Sequence, residues 1–300
     1  MDIKIFKVLR NTVNKKKMSI GVKYILLSTM LFSLIQISVK VLSRIPTQEI
    51  IIFRSLISLF ICLVFLYHRR VNIFGNNKKL LLARGFVGSL ALFGYFYTIH
   101  KMPLATAISI HYLSPLFTIM LATFIMKEPA SGKQWICFIV AFIGVVMIKG
   151  IDYRVSVFDI LIGVFAAFMS GLAYNIVRKL KLSEDPLVVI LYFPLVTLPL
   201  FAPYAVSTWV WPNNWEWPLL IILGLLTQIA QYALTRAYQS EKASNVAIFN
   251  YLGVIYAIIF GYFLFAESLP LLSVFGIIIL LIAAVGSGLL QHSKQGQMGN

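Results

Sequence analysis

HYLSPLFTIMLATFIMKE, residues 111–128, and NYLGVIYAIIFGYFLFAE, residues 250–267, are two versions of one segment. Laid one over the other, Tyr112 falls on Tyr251, Leu113 on Leu252, Ile119 on Ile258, Phe124 on Phe263 and Glu128 on Glu267. At the same offset Gly85 meets Gly224, and the start of the first apolar run meets the start of the sixth. Stretches rich in Leu and Ile match one another by chance, but the paired Tyr-Leu and the terminal Glu raise this match above that background.

The two segments belong to a chain of 300 residues that is 60% hydrophobic and 12% charged, far outside the soluble range. Apolar runs of about twenty residues, each long enough to cross roughly 30 Å of hydrocarbon as a helix, recur along its length. The expected spans are Ser19–Val41, Thr47–Tyr67, Leu80–Ile99, Leu104–Met126, Lys133–Ile148, Asp159–Val177, Leu187–Tyr204, Trp217–Thr235, Ala243–Phe265 and Leu271–Leu290. Short alternating strands, the mark of a membrane β-barrel, are not the pattern. The expected organisation is a basic segment over 1–18, five-helix repeats over 19–149 and 159–291, and a tail over 292–300. Five is odd, so the second repeat must enter the membrane from the opposite side to the first. The fold class is therefore all-α integral membrane: ten transmembrane helices as two inverted five-helix repeats around a central cavity. Inverted repeats of this kind are a recurring device of secondary transporters, with the site near the midplane.

The formal net charge of +16 raises the question of nucleic acid, and the placement of the basic residues answers it. Lys4, Lys7, Arg10, Lys15, Lys16 and Lys17 precede the first span; Arg69, Arg70, Lys78, Lys79 and Arg84 surround the second loop; Arg178, Lys179 and Lys181 follow the sixth span. Loops of the opposite parity carry only Lys40, Arg44, Lys101, Lys149 and Arg154. The positive-inside rule then puts both termini in the cytoplasm of an inner-membrane protein and makes the basic excess a matter of topology. The first run is too long for a secretory signal and no small-residue cleavage site follows it, so it is expected to be retained. Cys62 and Cys137 both fall within spans and read as packing residues, with no disulfide framework or zinc site.

The first half carries a more specific likeness. Residues 84–150 open on Arg-Gly, carry Leu-Ala after a short loop and Ser-Pro-Leu-Phe in the fourth span, and continue to a Glu at its end and Gly-Val-Val near the end of the fifth. This pattern resembles an EamA-type domain of the drug/metabolite transporter superfamily, and the resemblance extends over residues 19–291, more strongly in the first half. It implies a carrier whose cavity is lined chiefly by helices three, four, eight and nine, with one and six. It further implies substrates such as organic anions or adenosyl and amino-acid metabolites, and a structural or gating role for an arginine near Arg54 alongside substrate contact. The second half departs from the pattern where Val254 replaces the proline of the fourth span, which weakens a symmetric hinge.

Polar side chains too deep for headgroup contact mark the candidate site. His111, Ser114, Pro115 and Thr118 follow i, i+3, i+4, i+7 and share one helix face; their repeat partners include Asn250 and Gly253. Gln228, Gln231, Tyr232 and Thr235 have the same spacing on helix eight, and Gly171, Tyr174 and Asn175 lie together on helix six. Gln36, Tyr95, Tyr97, Tyr112 and Tyr251 complete the candidate cavity wall. Small and polar residues also join helices to one another, and for a single Ser or Gly packing is the simpler reading; for the glutamines and His111, unmatched donors and acceptors favour a cavity. Arg54 is a basic residue well inside a span, and Glu49, five residues away, is on a different face. Glu128 and Glu267 read as caps on the helices that follow them.

No Asp or Glu falls at mid-span, so either His111 is a proton-linked group or the protein is an exchanger or facilitator. The expected partners are a small organic solute, membrane lipid and a coupling ion or counter-substrate; no cofactor, metal or nucleic acid is expected. A proton-driven exporter of metabolites or drugs is the alternative within the same class. From other classes, an intramembrane enzyme lacks a nucleophile-base pair on the His111 face, and a channel lacks a filter-like loop or charged ring.

Overall fold

The computed structural model describes residues 19–127, 130–149, 154–240, 249 and 251–297, and what it describes is helical throughout. The basic N-terminal segment, Glu128, Ala243 and Asn250 lie outside the described residues. In chain order the helices are α1 (Ile20–Val41), α2 (Thr47–His68), α3 (Lys78–Lys101), α4 (Leu104–Ile125), α5 (Gly132–Lys149), α6 (Val157–Lys179), α7 (Pro186–Ser207), α8 (Glu216–Ser240), α9 (Leu252–Phe265) and α10 (Leu271–Gln297). Seven are long and apolar enough to cross a membrane, and α5, α9 and α10 supply shorter apolar segments among the described residues.

Helix starts follow caps that hydropathy does not register. Asn77 accepts from Leu80 N–H at 3.2 Å, Ser156 from Asp159 N–H at 3.0 Å and Asp185 from Leu187 N–H at 2.8 Å. Consequently α3, α6 and α7 begin a residue or two before the expected spans. The fourth span is not one kinked helix. It breaks into Leu104–His111 and Ser114–Ile125, because Pro115 has no N–H to offer the His111 carbonyl. At the break the Leu113 amide donates to the Ile110 carbonyl at 3.0 Å, a tighter turn than the α-helix makes. In the second repeat α9 begins at Leu252 with Tyr251 in a turn, and Val254 N–H donates to Tyr251 O at 3.1 Å. The first turn of α9 thus forms at Val254 without a proline.

Packing follows the repeat. Exchanging each helix for its counterpart (α1 with α6, α2 with α7, and so on) maps α1·α8 onto α3·α6 and α3·α7 onto α2·α8, and all four pairs are in contact. The pairs α5·α10, α2·α7 and α4·α9 map onto themselves and straddle the pseudo-two-fold axis. Tyr112 and Tyr251, equivalent in the repeat, lie 5.3 Å apart between ring centroids, as only residues beside that axis can. Phe124 and Phe263, also equivalent, point outward and are 71% and 75% exposed, as a lipid-facing side chain is. Gly85 and Gly224 serve the two related crossings: a Cβ on Gly85 would sit 2.5 Å from the Tyr192 carbonyl of α7, and one on Gly224 would strike Ile57 of α2.

Polar contacts join the loops at both ends. At the end where α1 begins, Glu184 accepts from the Asn76 and Asn77 amides at 2.8 and 2.6 Å. At the opposite end Arg44 forms an ion pair with Glu216 and donates to Trp211 O at 3.0 Å, while Lys40 pairs with Glu267 at 3.0 Å and donates to Met102 O at 2.6 Å. The second oxygen of Glu267 accepts from Leu104 N–H at 2.7 Å. Glu267 thus caps α4 of the other repeat, not the α10 that follows it.

Candidate functional site

The helices enclose a central cavity of about 130 Å³. A single water needs on the order of 10–15 Å³ by this measure, so the space holds roughly ten waters or a small organic molecule. From α1 come Thr29, Phe32, Ile35 and Gln36; from α2, Arg54; from α3, Arg84, Gly88, Leu92, Tyr95 and Phe96. The break in α4 supplies His111, Tyr112, Ser114 and Pro115, α6 supplies Ser170, Ala173 and Tyr174, α7 Phe193, and α8 Gln231 and Leu234. The repeat determines this placement: α4 is interrupted beside the axis, where His111 can turn inward.

The wall has aromatic faces and unmatched polar atoms. The His111 ring stacks on Tyr95 with centroids 3.9 Å apart and planes at 23°. Buried atoms without a partner include Gln36 Oε1, His111 Nδ1, Arg54 Nε, Arg84 Nε and Arg84 Nη1. Arg54 lies over the Phe96 and Phe193 rings at 5.7 and 5.1 Å, and Arg84 lies over Phe193 at 5.3 Å. No carboxylate lines the cavity among the described residues. Glu49 turns away from Arg54 and accepts from Val210 N–H at 2.8 Å.

Of the residues singled out from spacing, Gln36, Arg54, Tyr95, His111, Tyr112, Ser114, Pro115, Tyr174 and Gln231 come together on this wall. The others do not. Gln228 is turned toward α2, accepting from Ser58 Oγ at 2.6 Å and donating to Cys62 Sγ at 3.1 Å, so it joins helices. Asn175 is fully buried and donates to Thr118 O at 2.9 Å and Gly171 O at 3.0 Å, which is packing between α6 and α4. Thr118 itself donates back to Ser114 O at 2.7 Å. Tyr232 packs edge-on against Tyr24, 6.5 Å between centroids, and Tyr97 faces Asp159. Tyr251 stands behind Tyr112, one layer from the cavity, and α9 contributes no lining residue among the described ones.

Arg84 and Phe193 are among the lining residues that spacing missed. Arg84 reads in sequence as part of the basic flank of the second loop, but it lies two turns inside α3 and is 8% exposed. Its place in the Arg-Gly opening of the pattern was the available signal. Phe193 is one apolar residue among many in α7, and nothing local distinguishes it.

Comparison with known proteins gives this architecture a context. The pseudopaline exporter CntI of Pseudomonas aeruginosa (strain UCBPP-PA14) is 28% identical over 279 residues, covering 92% of this chain and 97% of the exporter. The S-adenosylmethionine uptake transporter of Rickettsia prowazekii is 27% identical over 267 residues, covering 88% and 91%. A solved structure described only as the crystal structure of a protein superposes with a TM-score of 0.66 at 17% identity over 93% of this chain and 99% of its own, which establishes likeness of fold. The EamA-like transporter family matches twice, over residues 19–150 and 157–289, so the chain, a multi-pass membrane transporter and not an enzyme, belongs to the EamA-like transporter family.

Proposed function

We infer that the protein moves a small organic metabolite across the inner membrane by alternating access, with the central cavity as its transport site and both termini in the cytoplasm. The observation that carries this reading is the cavity beside the pseudo-two-fold axis, where unmatched polar atoms of Gln36, His111, Arg54 and Arg84 face a space of solute size. Two halves that repeat in opposite senses can exchange conformations, and a site at their junction is then reached from each side in turn. Amino acids, carboxylates and nucleoside- or S-adenosylmethionine-like solutes are the candidate class. The exporter and uptake carrier named above, each handling an organic metabolite, support that class. Lys and Arg concentrate in loops at the end where α1 begins, which supports the orientation. With no carboxylate on the wall among the described residues, exchange or facilitated movement is the preferred coupling, and counterflow without a pH gradient tests it.

The site is tested in liposomes containing the purified protein, by counterflow of labelled solutes. Gln231→Ala, His111→Ala and Gln36→Ala should each slow counterflow about three- to tenfold, the worth of a lost hydrogen bond or two, with folded yield retained. Normal rates in all three would remove this cavity from the transport path.

A further inference from the structure

The chemistry of the cavity narrows the solute further than its size does. Arg54 and Arg84 are 3% and 8% exposed, they project from different helices, and both reach the ring of Phe193. Since each guanidinium carbon is within 5.3 Å of that ring centre, the two are no farther apart than about twice that distance. The ion pairs found among the described residues, Lys40 with Glu267 and Arg44 with Glu216, are elsewhere and involve neither arginine. Contact with an aromatic face returns only part of what removing a cation from water costs. The imbalance falls on two like charges in one space, and an anion that enters with the solute corrects it.

We propose, on the reading that this cavity is the transport site, that its solute is an organic molecule bearing two carboxylates, one for Arg54 and one for Arg84, with its carbon skeleton against Phe193. A guanidinium is a planar fork of donors that matches one carboxylate in a bidentate pair. Two forks from α2 and α3 fit two carboxylates joined by a short spacer better than one compact phosphate. The rest of the wall agrees: Phe32, Leu92 and Phe96 offer apolar contact to a spacer, and Gln36 and Gln231 offer amides to further polar groups. Each carboxylate also replaces the water that the unpartnered Arg84 Nε and Nη1 and Arg54 Nε would otherwise need.

The test uses the purified full chain and its melting temperature, which a ligand of the folded state raises by mass action. The probes are succinate, glutarate and adipate, then succinamate with one carboxylate, succinamide with none, and glycerol 3-phosphate. At least one dicarboxylate should raise Tm, succinamate should need about tenfold more for the same rise, and succinamide should do nothing. Arg54→Gln and Arg84→Gln should each weaken the dicarboxylate response about tenfold, and Arg54→Lys and Arg84→Lys, which keep charge but lose the fork, should fall between. The proposal is overturned if no dicarboxylate acts, if succinamide acts as well as succinate, if glycerol 3-phosphate outperforms every dicarboxylate, or if both arginine variants respond like the parent. Arginine-dependent binding without counterflow in liposomes would sink the transport reading and leave the site standing. Counterflow of neutral solutes alone would do the reverse.

Discussion

Gln228 and Gln231 stand one turn apart on α8 and do different work. The amide of Gln228 is occupied by Ser58 and Cys62 of α2, while Gln231 faces the cavity. Gln228→Ala should therefore cost about 1 kcal/mol of stability, within the range measured for polar contacts between membrane helices, and leave the transport rate unchanged; thermal unfolding and counterflow on the same preparation check both halves. Helical spacing identified the polar stripe but not the direction of each side chain. A stripe of i, i+3, i+4 residues covers a broad arc of helix, and two neighbours share that arc. Arg84 was hidden for another reason: it stands near the start of its span, where an arginine reads as part of the basic flank and hydropathy gives no sign of which way the side chain turns.

Among the elements, α4 carries the most consequence. Its break at Tyr112 and Leu113 frees the His111 carbonyl from the helical ladder and lets two short helices tilt independently. Pro115→Ala gives the His111 carbonyl a possible donor and should slow counterflow several-fold by stiffening the break, while Tm stays level or falls slightly, since proline in the first turn of Ser114–Ile125 also restrains the unfolded chain. Faster transport in that variant would show that the break is only tolerated. The start of α4 is held by Glu267 from the other repeat, which also pairs with Lys40. Proline in SPLF was a legible sign of the break, but no local signal marked the equivalent turn at Tyr251, and nothing in sequence told which helix Glu267 would cap. Capping across the axis is a tertiary contact, fixed by the repeat and invisible to either segment alone.

For the whole molecule, the ten-helix plan was legible in the apolar runs, and the alignment of residues 111–128 with 250–267 divided those runs into two sets of five, whose odd number fixes their opposite senses. The helix pairing across the axis then follows from symmetry. The contacts at one end do not: Lys40–Glu267 and Arg44–Glu216 join loops distant in sequence at the end opposite the start of α1. If the halves alternate, those contacts must part for the cavity to open there, and Glu267→Gln should lower the barrier by removing the charge from both the Lys40 pair and the α4 cap.

The most direct measurement is side-specific labelling of one cavity cysteine. Cys62 and Cys137 are replaced by serine, Gln231→Cys is introduced, and a membrane-impermeant maleimide is applied to each face of oriented vesicles. The account predicts labelling from the face where α1 begins, little from the other, and a shift toward the second face when Glu267→Gln is added. Equal labelling from both faces at once would indicate a pore, and no labelling from either face in any variant would show that the cavity is not a transport site.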